Sequence, residues 1–299
     1  MRKILVTGGT VFVSKYVAEY YLNQGDKVYV LNRNTREQPI GAILIEADRK
    51  NLTDELKKYE FDIVIDVTAY TGEDVNNLLA ALGSYKEYIL ISSSAVYPEF
   101  EKQPFKEECM VGKNKYWGKY GTNKIDAEVV LMKRVPSAYI IRPPYLYGPL
   151  NNVYREAFVF DCAIADRKFY LPGTGEMKLH FFHINDLCKC IDAILENKPE
   201  THVLNVGNYD TISVRTWVEM GYLVAGKNVE FEEVHEKIEQ REYFSFYDYE
   251  YQLDVTNQSR LLEKTIPLAE GLKECYLWYL DNKGSVSRKG YVEYIDSHF

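Results

Sequence analysis

Tyr120 and Lys124 are the two residues whose types and spacing could carry out proton transfer. Four positions apart on a helix, a phenol and an ammonium group lie on one face. A free phenol has a pKa of about 10, too high for a base at neutral pH, and a nearby cation favours the phenolate. Because the chain has 26 tyrosines and 36 lysines and arginines, chance matches to this spacing are expected. The surrounding elements must therefore decide whether Tyr120 is catalytic.

A cluster of serines lies upstream of Tyr120. Residues 86–91 are typical of a short buried strand, which runs directly into Ser92, Ser93 and Ser94. In open α/β sheets, ligands bind where the strands end. A loop then leads to a helix that begins near residue 119, and this connection could bring a serine hydroxyl beside Tyr120. A turn or a helix cap is the alternative role for the serines.

Strands and helices alternate along the first half of the chain. The predicted strands cover residues 2–6, 27–31, 42–45, 62–67, 86–91 and 138–141, and the predicted helices cover 13–23, 74–82 and the segment from 119. This alternation predicts an α/β fold with a doubly wound parallel sheet. We expect a dinucleotide-binding domain over 1–150, with return segments near 178–210. A smaller, interwoven substrate-binding domain takes most of 151–299, and its aromatic segment 241–251 suits a cap over a ligand.

The loop after the first strand has the position of a dinucleotide-binding fingerprint. Glycines there permit a tight turn and a close phosphate, while the helix N-terminus faces the pyrophosphate. Gly8 is the first glycine of the pattern, but Val11 and Ser14 occupy the second and third positions. Side chains at those positions should crowd the pyrophosphate and the contact between helix and strand. A turn that binds no phosphate therefore remains an alternative.

The end of the second predicted strand bears on the choice between NAD and NADP. A site that selects NAD often has an acidic residue there, whereas arginine accommodates the 2′-phosphate of NADP. Here the strand ends at Asn32 and Arg33, with Arg36 close behind. Loop arginines are commonly just solvated, but the missing acid and the guanidinium both favour NADP or a relaxed preference.

Composition excludes several functional classes. The formal net charge of −8 provides no basic surface for nucleic acid or anionic membranes. No apolar run is long enough to span a membrane, and the chain enters a strand without a signal peptide. The five cysteines lack Cys-x-x-C spacing and the five histidines are scattered. We therefore expect a cytoplasmic protein with reduced thiols and no bound metal.

Several motifs occur in a characteristic order along nearly the whole chain. They are Gly8-Gly9, residues 47–49, the serine segment 93–97, Tyr120-x-x-x-Lys124, and the segments 142–149, 183–186, 204–207 and 270–278. This ordered set resembles the extended short-chain dehydrogenase/reductase family. That family is the NAD(P)-dependent epimerase/dehydratase group, which acts mostly on nucleotide sugars and has a Rossmann-type sheet.

The resemblance implies roles for individual residues. Tyr120 would be the general acid/base, Lys124 would lower its pKa and hold the nicotinamide ribose, and Ser93 would bind the same substrate oxygen. The residues expected to contact NAD or NADP are Gly8, Gly9, Thr10, Val11, Phe12, Val13, Asn32, Arg33, Asp48, Arg49, Val67, Thr68, Ala69, Ser92, Tyr120, Lys124 and Pro143. The residues expected to contact the substrate are Tyr70, Ser94 and Tyr145.

The reaction itself is less clearly indicated. Sugar 4,6-dehydration in this family uses a carboxylate pair directly after the catalytic serine or threonine, but Ser94 and Ala95 stand there. Epimerisation, in which the sugar is oxidised, rotated and reduced, and simple reduction both remain. The serine motif and the architecture favour a sugar 4-epimerase, whereas the NADP preference favours a keto-sugar reductase.

Two non-catalytic alternatives also remain. The segments 8–13, 47–50 and 145–150 resemble chloroplast stem-loop RNA-binding proteins, relatives that have lost the Tyr-x-x-x-Lys pair. This chain retains the pair, and its negative charge removes the electrostatic attraction on which nucleic-acid affinity depends. A regulatory dinucleotide sensor is the other alternative, because Val11 and Ser14 depart from the fingerprint.

The resemblance also predicts a homodimer, because related proteins form a four-helix interface. Here the helices over 74–82 and 120–132 both present apolar residues at helical spacing. These residues are Val75, Leu78, Leu79, Leu82, Ile125, Val129 and Met132. The alternative is that they only face the sheet.

Overall fold

The computed structural model describes all 299 residues, which divide into two compact units. Unit 1 consists of Met1–Pro144, Ile184–Gly207 and Leu253–Lys264, and unit 2 consists of Tyr145–His183, Asn208–Gln252 and Thr265–Phe299. The segment Ile184–Gly207 lies within the return segments expected from the sequence. The return at Leu253–Lys264 was not expected, because the sequence analysis assigned that segment to the second domain.

The secondary structure follows the predicted alternation, with element boundaries displaced by a residue or two. The strands are β1 (Lys3–Thr7), β2 (Lys27–Asn32), β3 (Ile43–Glu46), β4 (Glu60–Asp66), β5 (Ser84–Ile91), β6 (Tyr139–Arg142), β7 (Tyr145–Tyr147), β8 (Phe169–Pro172), β9 (Lys178–Leu179), β10 (Phe181–His183), β11 (Val203–Asn205), β12 (Ile212–Ser213) and β13 (Phe231–Val234). The α-helices are α1 (Phe12–Asn23), α2 (Gly72–Ala81), α3 (Lys119–Arg134), α4 (Glu156–Ile164), α5 (Ile184–Asn197), α6 (Val214–Val224), α7 (Thr256–Ser259), α8 (Leu268–Asn282) and α9 (Tyr291–His298).

Unit 1 is built on a seven-stranded parallel sheet with the order β11-β6-β5-β4-β1-β2-β3. This order confirms the predicted doubly wound fold. The chain leaves β1 towards β2 and later returns to β4 on the other side, so the strand order reverses between β1 and β4. Ligands of such sheets bind outside the carboxyl ends of the strands at this reversal. The loops after β1, β4 and β5 are therefore the expected location of a site.

The central strands are apolar along their length because both faces of the sheet are covered. Leu5 of β1 belongs to a buried cluster with Val64 of β4, Leu78 of α2 and Leu131 of α3. The clustered residues bring α2 and α3 together over one face of the sheet. Helix α1 contacts β1, β2 and α5.

The apolar residues proposed for a dimer interface divide into two groups. Val75, Leu78 and Leu82 are buried in the cluster over the sheet, so these three face the sheet and not a second copy of the chain. Val129 on α3 is instead 59% exposed. An interface between two copies would therefore have to use the outer surface of α3.

Unit 2 has an aromatic core formed by its helices and short strand pairs. Phe181 stacks on Trp217, and both lie beside Phe246. Phe244 and Phe246 are completely or almost completely buried in this core, so part of the aromatic segment 241–251 belongs to it. The expectation of a ligand cap was wrong for these two residues, because large apolar rings are most stable when packed away from water. None of the helices has both the length and the apolarity needed to cross a bilayer.

Candidate active site

The loop between β1 and α1 keeps the turn of a dinucleotide site despite its missing glycines. Gly8 and Gly9 have φ angles of +89° and +87°, which only glycine adopts without strain. A Cβ atom at Gly9 would lie 2.4 Å from Cγ1 of Val30. Ser14, at the third glycine position, is buried and its hydroxyl donates to the Val11 carbonyl at 2.9 Å. The small serine side chain therefore fits where the helix must approach the strand closely.

The rest of this loop is partly open. Thr10, Val11 and Val13 are half-buried, while Phe12 packs inwards at 9% exposure. Val11 precedes α1 in an extended conformation as its N-cap residue. The first N–H groups of α1 have no partners within a helix and can bind an anion. The residues present therefore fit a phosphate-bearing ligand.

Asn32 and Arg33 differ in what they offer a cofactor. The Asn32 side-chain amide donates to the Gly8 carbonyl at 2.7 Å and to Oε1 of Gln38 at 2.9 Å. Both amide hydrogens are thus used within the protein, and Asn32 supports the glycine loop. Arg33 is exposed.

The terminal donors of Arg49 are used within the protein. Its terminal nitrogens donate to both carboxylate oxygens of Asp66, at 2.8 and 3.0 Å, and also to Thr68 and the Asp74 carbonyl. Asp66 is fully buried, and its pairing with Arg49 could not be predicted from the sequence. Burial opposes its charge, but Arg49 and further hydrogen bonds hold the pKa of Asp66 below its ordinary value. Asp48 accepts the Lys50 N–H at 3.0 Å and caps the short turn Arg49–Asn51.

Thr7 connects the end of β1 to the loop after β4. Its hydroxyl donates to Asp66 at 2.7 Å and accepts the N–H groups of Val67 and Thr68 at 3.0 and 3.1 Å. These bonds fix the backbone of Val67 and Thr68, two of the predicted cofactor residues in the loop after β4. The third predicted residue of that loop is Ala69, whose carbonyl accepts a hydrogen bond from Lys124.

The serine turn after β5 meets the start of α3 at Ser93 and Tyr120. Ser93 is the second residue after β5, and its oxygen accepts the Ala95 N–H at 3.2 Å. Tyr120 is the second residue of α3, and its side chain is hydrogen-bonded to that of Ser93. A Cβ atom at Gly121 would lie 2.3 Å from the Ala95 carbonyl oxygen. Only glycine therefore allows the start of α3 to approach the serine turn this closely.

Lys124 lies beneath this pair and is almost completely buried, at 2% exposure. Its ammonium donates to the backbone carbonyls of Ala69 at 2.8 Å and Ile91 at 2.9 Å, and it lies 5.0 Å from the ring centre of Tyr70. Burial lowers the pKa of Lys124 to about 8.

The pKa of Tyr120 is not lowered by the protein. Although 41% of the residue is exposed, burial around its hydroxyl group raises the pKa, the Ser93 hydrogen bond opposes this, and Tyr70 adds to it. The protein's own residues therefore do not produce the predicted lowering of the Tyr120 pKa by Lys124. The physical reason is that the Lys124 ammonium is directed at two backbone carbonyls.

A buried polar network behind the serine turn was missed by the sequence analysis. Glu128 forms a two-point ion pair with Arg142, with distances of 2.6 and 3.0 Å, and accepts a short hydrogen bond from Ser92. Arg142 also donates to the Tyr97 hydroxyl at 2.8 Å, which donates to Asn205 at 2.8 Å. Ser92 is thus directed at Glu128, contrary to its predicted cofactor contact. No local sequence signal reveals this network, because Glu128 lies on α3 and Arg142 on β6.

The remaining predicted residues lie in different units. Pro143 is buried in unit 1, and its carbonyl accepts the N–H of Ser94 at 2.9 Å. Tyr145 belongs to unit 2, where its ring packs at 4.8 Å from that of Phe246 and 5.5 Å from the guanidinium carbon of Arg155.

Comparison with known proteins agrees with this geometry. Residues 4–207 match the model of the NAD dependent epimerase/dehydratase family. The chain belongs to this family. A solved structure of a UDP-glucuronic acid 4-epimerase from Bacillus cereus, in complex with UDP-glucuronic acid and NAD, shares the family fold. Its TM-score is 0.73 at 21% identity, and the match covers 93% of this chain and 99% of that one.

Curated relatives of the family match over part of their length. The chain is 28% identical over 227 residues to the chloroplast stem-loop binding protein of 41 kDa b of Arabidopsis thaliana, covering 69% of this chain and 58% of the relative. It is 23% identical over 224 residues to the probable GDP-L-fucose synthase 1 of Oryza sativa subsp. japonica, covering 67% of this chain and 64% of the relative. The chain thus spans less than two thirds of the length of these relatives.

Proposed function

We propose that the protein is an NAD(P)-dependent enzyme that epimerises a nucleotide sugar at carbon 4. The observation that carries this proposal is the hydrogen bond between Ser93 and Tyr120 above the buried Lys124. Family membership and the likeness to a nucleotide-sugar epimerase support the same conclusion. The positions after Ser93 hold no carboxylate pair, which argues against dehydration.

The cofactor would be held by unit 1. Gly8, Gly9 and the N-terminus of α1 would bind its phosphates, and Lys124 would bind the ribose next to the nicotinamide. When bound, the nicotinamide ring supplies the hydride acceptor and donor. Asn32 keeps the glycine loop in place through the Gly8 carbonyl.

The protein's own residues would donate and accept the proton. Because the pKa of Tyr120 is raised, its hydroxyl holds a proton at neutral pH and can donate it to a keto oxygen. Ser93 would donate a second hydrogen bond to that oxygen. In the oxidising direction Tyr120 must accept a proton as the phenolate, a form that its raised pKa disfavours.

A keto-sugar reductase is the second candidate. The raised pKa of Tyr120 favours it, because reduction requires only the protonated phenol at the start of each cycle. RNA binding is the third candidate, since one relative is named a stem-loop binding protein. The net charge of −8 argues against it.

The test begins with calorimetric titration of NAD, NADH, NADP and NADPH. UDP-, GDP- and dTDP-sugars are then screened for epimerisation, and keto-sugars for NADPH oxidation. Tyr120→Phe removes one oxygen and keeps the ring, so turnover should fall by roughly 10²–10⁴-fold with cofactor affinity nearly unchanged. Ser93→Ala should lower the rate by about 10²-fold.

Tyr116→Phe is the matched control, because it removes the same oxygen from a tyrosine shortly before α3. An activity that survives Tyr120→Phe within a few-fold would refute the mechanism. If no dinucleotide binds at millimolar concentration, the enzyme proposal fails. A stem-loop RNA filter-binding assay then tests the third candidate.

A further inference from the structure

The Lys124 ammonium already has a partner in each of its bonding directions. A protonated lysine has three N–H donors and no acceptor. Two of these donors reach the carbonyls of Ala69 and Ile91, at 2.8 and 2.9 Å. The ring of Tyr70 lies 5.0 Å from the same nitrogen, within the range of a cation–π contact. A ligand hydroxyl that binds Lys124 must therefore compete with one of these three partners.

The two carbonyls are fixed parts of the fold. Ile91 is the last residue of β5, and Ala69 is completely buried in the loop after β4. Neither carbonyl can move away without disturbing the sheet or that loop. Tyr70 is therefore the partner of Lys124 that a ligand can replace at the lowest cost.

The Tyr70 side chain can move while its backbone stays in place. Its N–H and that of Thr71 both donate to Asp74 at 3.0 Å, and Thr71 and Asp74 form a capping box at the start of α2. Tyr70 is 52% exposed, so rotation of its side chain would meet mainly solvent. Its ring also lies 6.3 Å from that of Tyr120, centre to centre. The ring therefore lies close to both residues of the catalytic pair.

We propose that Tyr70 is a displaceable cover on Lys124, which must swing aside before a ligand hydroxyl can bind the ammonium. The ligand class is a ribose-bearing dinucleotide, and this part of the inference rests on the proposed function. Tyr70 is then a positioning residue that holds the ammonium in place between binding events. Its ring opposes binding, in contrast to the direct substrate contact expected from the sequence.

The first test measures the cover without any cofactor. The intact protein is treated with a low concentration of acetic anhydride, and acetylation of Lys124 is followed by mass spectrometry of its peptide. Tyr70→Ala should increase the acetylation rate of Lys124 several-fold, whereas Tyr70→Phe, which keeps the ring, should match the wild type. The exposed Lys119 of the same helix is the internal control and should react equally in all three proteins. An unchanged rate for Lys124 in Tyr70→Ala overturns the proposal.

The second test measures displacement by calorimetry with NADH and NADPH. Tyr70→Ala should bind the preferred dinucleotide about 2- to 30-fold more tightly than the wild type, a range set by the strength of a cation–π contact. Tyr70→Phe should stay within about two-fold of the wild type. Weaker or equal binding by Tyr70→Ala would show that the ring supports the ligand or is indifferent to it, and would overturn displacement. If none of the three proteins binds a dinucleotide, the proposed function fails, and the acetylation rates alone decide whether Tyr70 covers Lys124.

Discussion

Replacing Lys124 with methionine should change how the stability of the protein depends on pH. Lys124 is 2% exposed, and burial lowers its pKa from 10.5 to about 8. Below pH 8 the amine is protonated in both the folded and the unfolded chain, so the folded state bears the full cost of the buried charge. Between pH 8 and 10.5 only the unfolded chain binds the proton, and stability rises with pH.

The size of this effect follows from the two pKa values. With 10.5 in the unfolded chain and about 8 in the folded one, this residue should add about 2–3 kcal/mol to the free energy of unfolding between pH 7 and pH 10. Lys124→Met removes this dependence. It also leaves the carbonyls of Ala69 and Ile91 without their donor, but that loss is the same at every pH.

Urea unfolding of the wild type and Lys124→Met at several pH values, followed by circular dichroism, measures the difference. The stability of the wild type relative to the variant should increase by about 2–3 kcal/mol from pH 7 to pH 10. Lys119→Met removes an exposed charge from the same helix and should give a much smaller change. A change below about 0.5 kcal/mol for Lys124→Met would mean that the ammonium is solvated, and the reasoning from burial would be wrong.

Three further outcomes are expected. Gly121→Ala should lower kcat/KM by roughly 10²-fold, because the added Cβ atom would push the start of α3 away from the Ala95 carbonyl. Gly284→Ala is the control and should keep full activity, because the space around Gly284 is open. Equal activities of the two variants would contradict this reasoning. Arg33→Ala should weaken NADP binding by roughly 1.5–3 kcal/mol in calorimetry and leave the affinity for NAD unchanged. An unchanged affinity for NADP in this variant would refute the proposed preference. We also propose that the protein forms a homodimer through the outer face of α3. Light scattering should then find a dimer at micromolar concentration, and Val129→Asp should dissociate it, because Val129 is exposed on that face. A monomeric wild type would exclude this dimer.

The sequence by itself determined the sheet and the relation between Tyr120 and Lys124. Apolar runs of strand length, separated by amphipathic helices, are a local property, and a parallel sheet with both faces covered is the fold that buries them. The spacing of four between Tyr120 and Lys124 is equally local, since a helix places both residues on one face. The family motifs are also short segments, and they can be recognised without knowing their contacts.

Only the tertiary structure decided which groups meet these residues. Arg49 is paired with Asp66 because the turn after β3 meets the end of β4 in the folded chain, and nothing local to Arg49 reveals that carboxylate. The Lys124 ammonium is directed at carbonyls at the end of β5 and in the loop after β4, so the expected stabilisation of a Tyr120 phenolate is not present. Periodicity encodes which face of an element is buried. The partner on that face is chosen by the order of the strands and the path of the loops, because charge and hydrogen bonding depend on distances that sequence spacing does not contain.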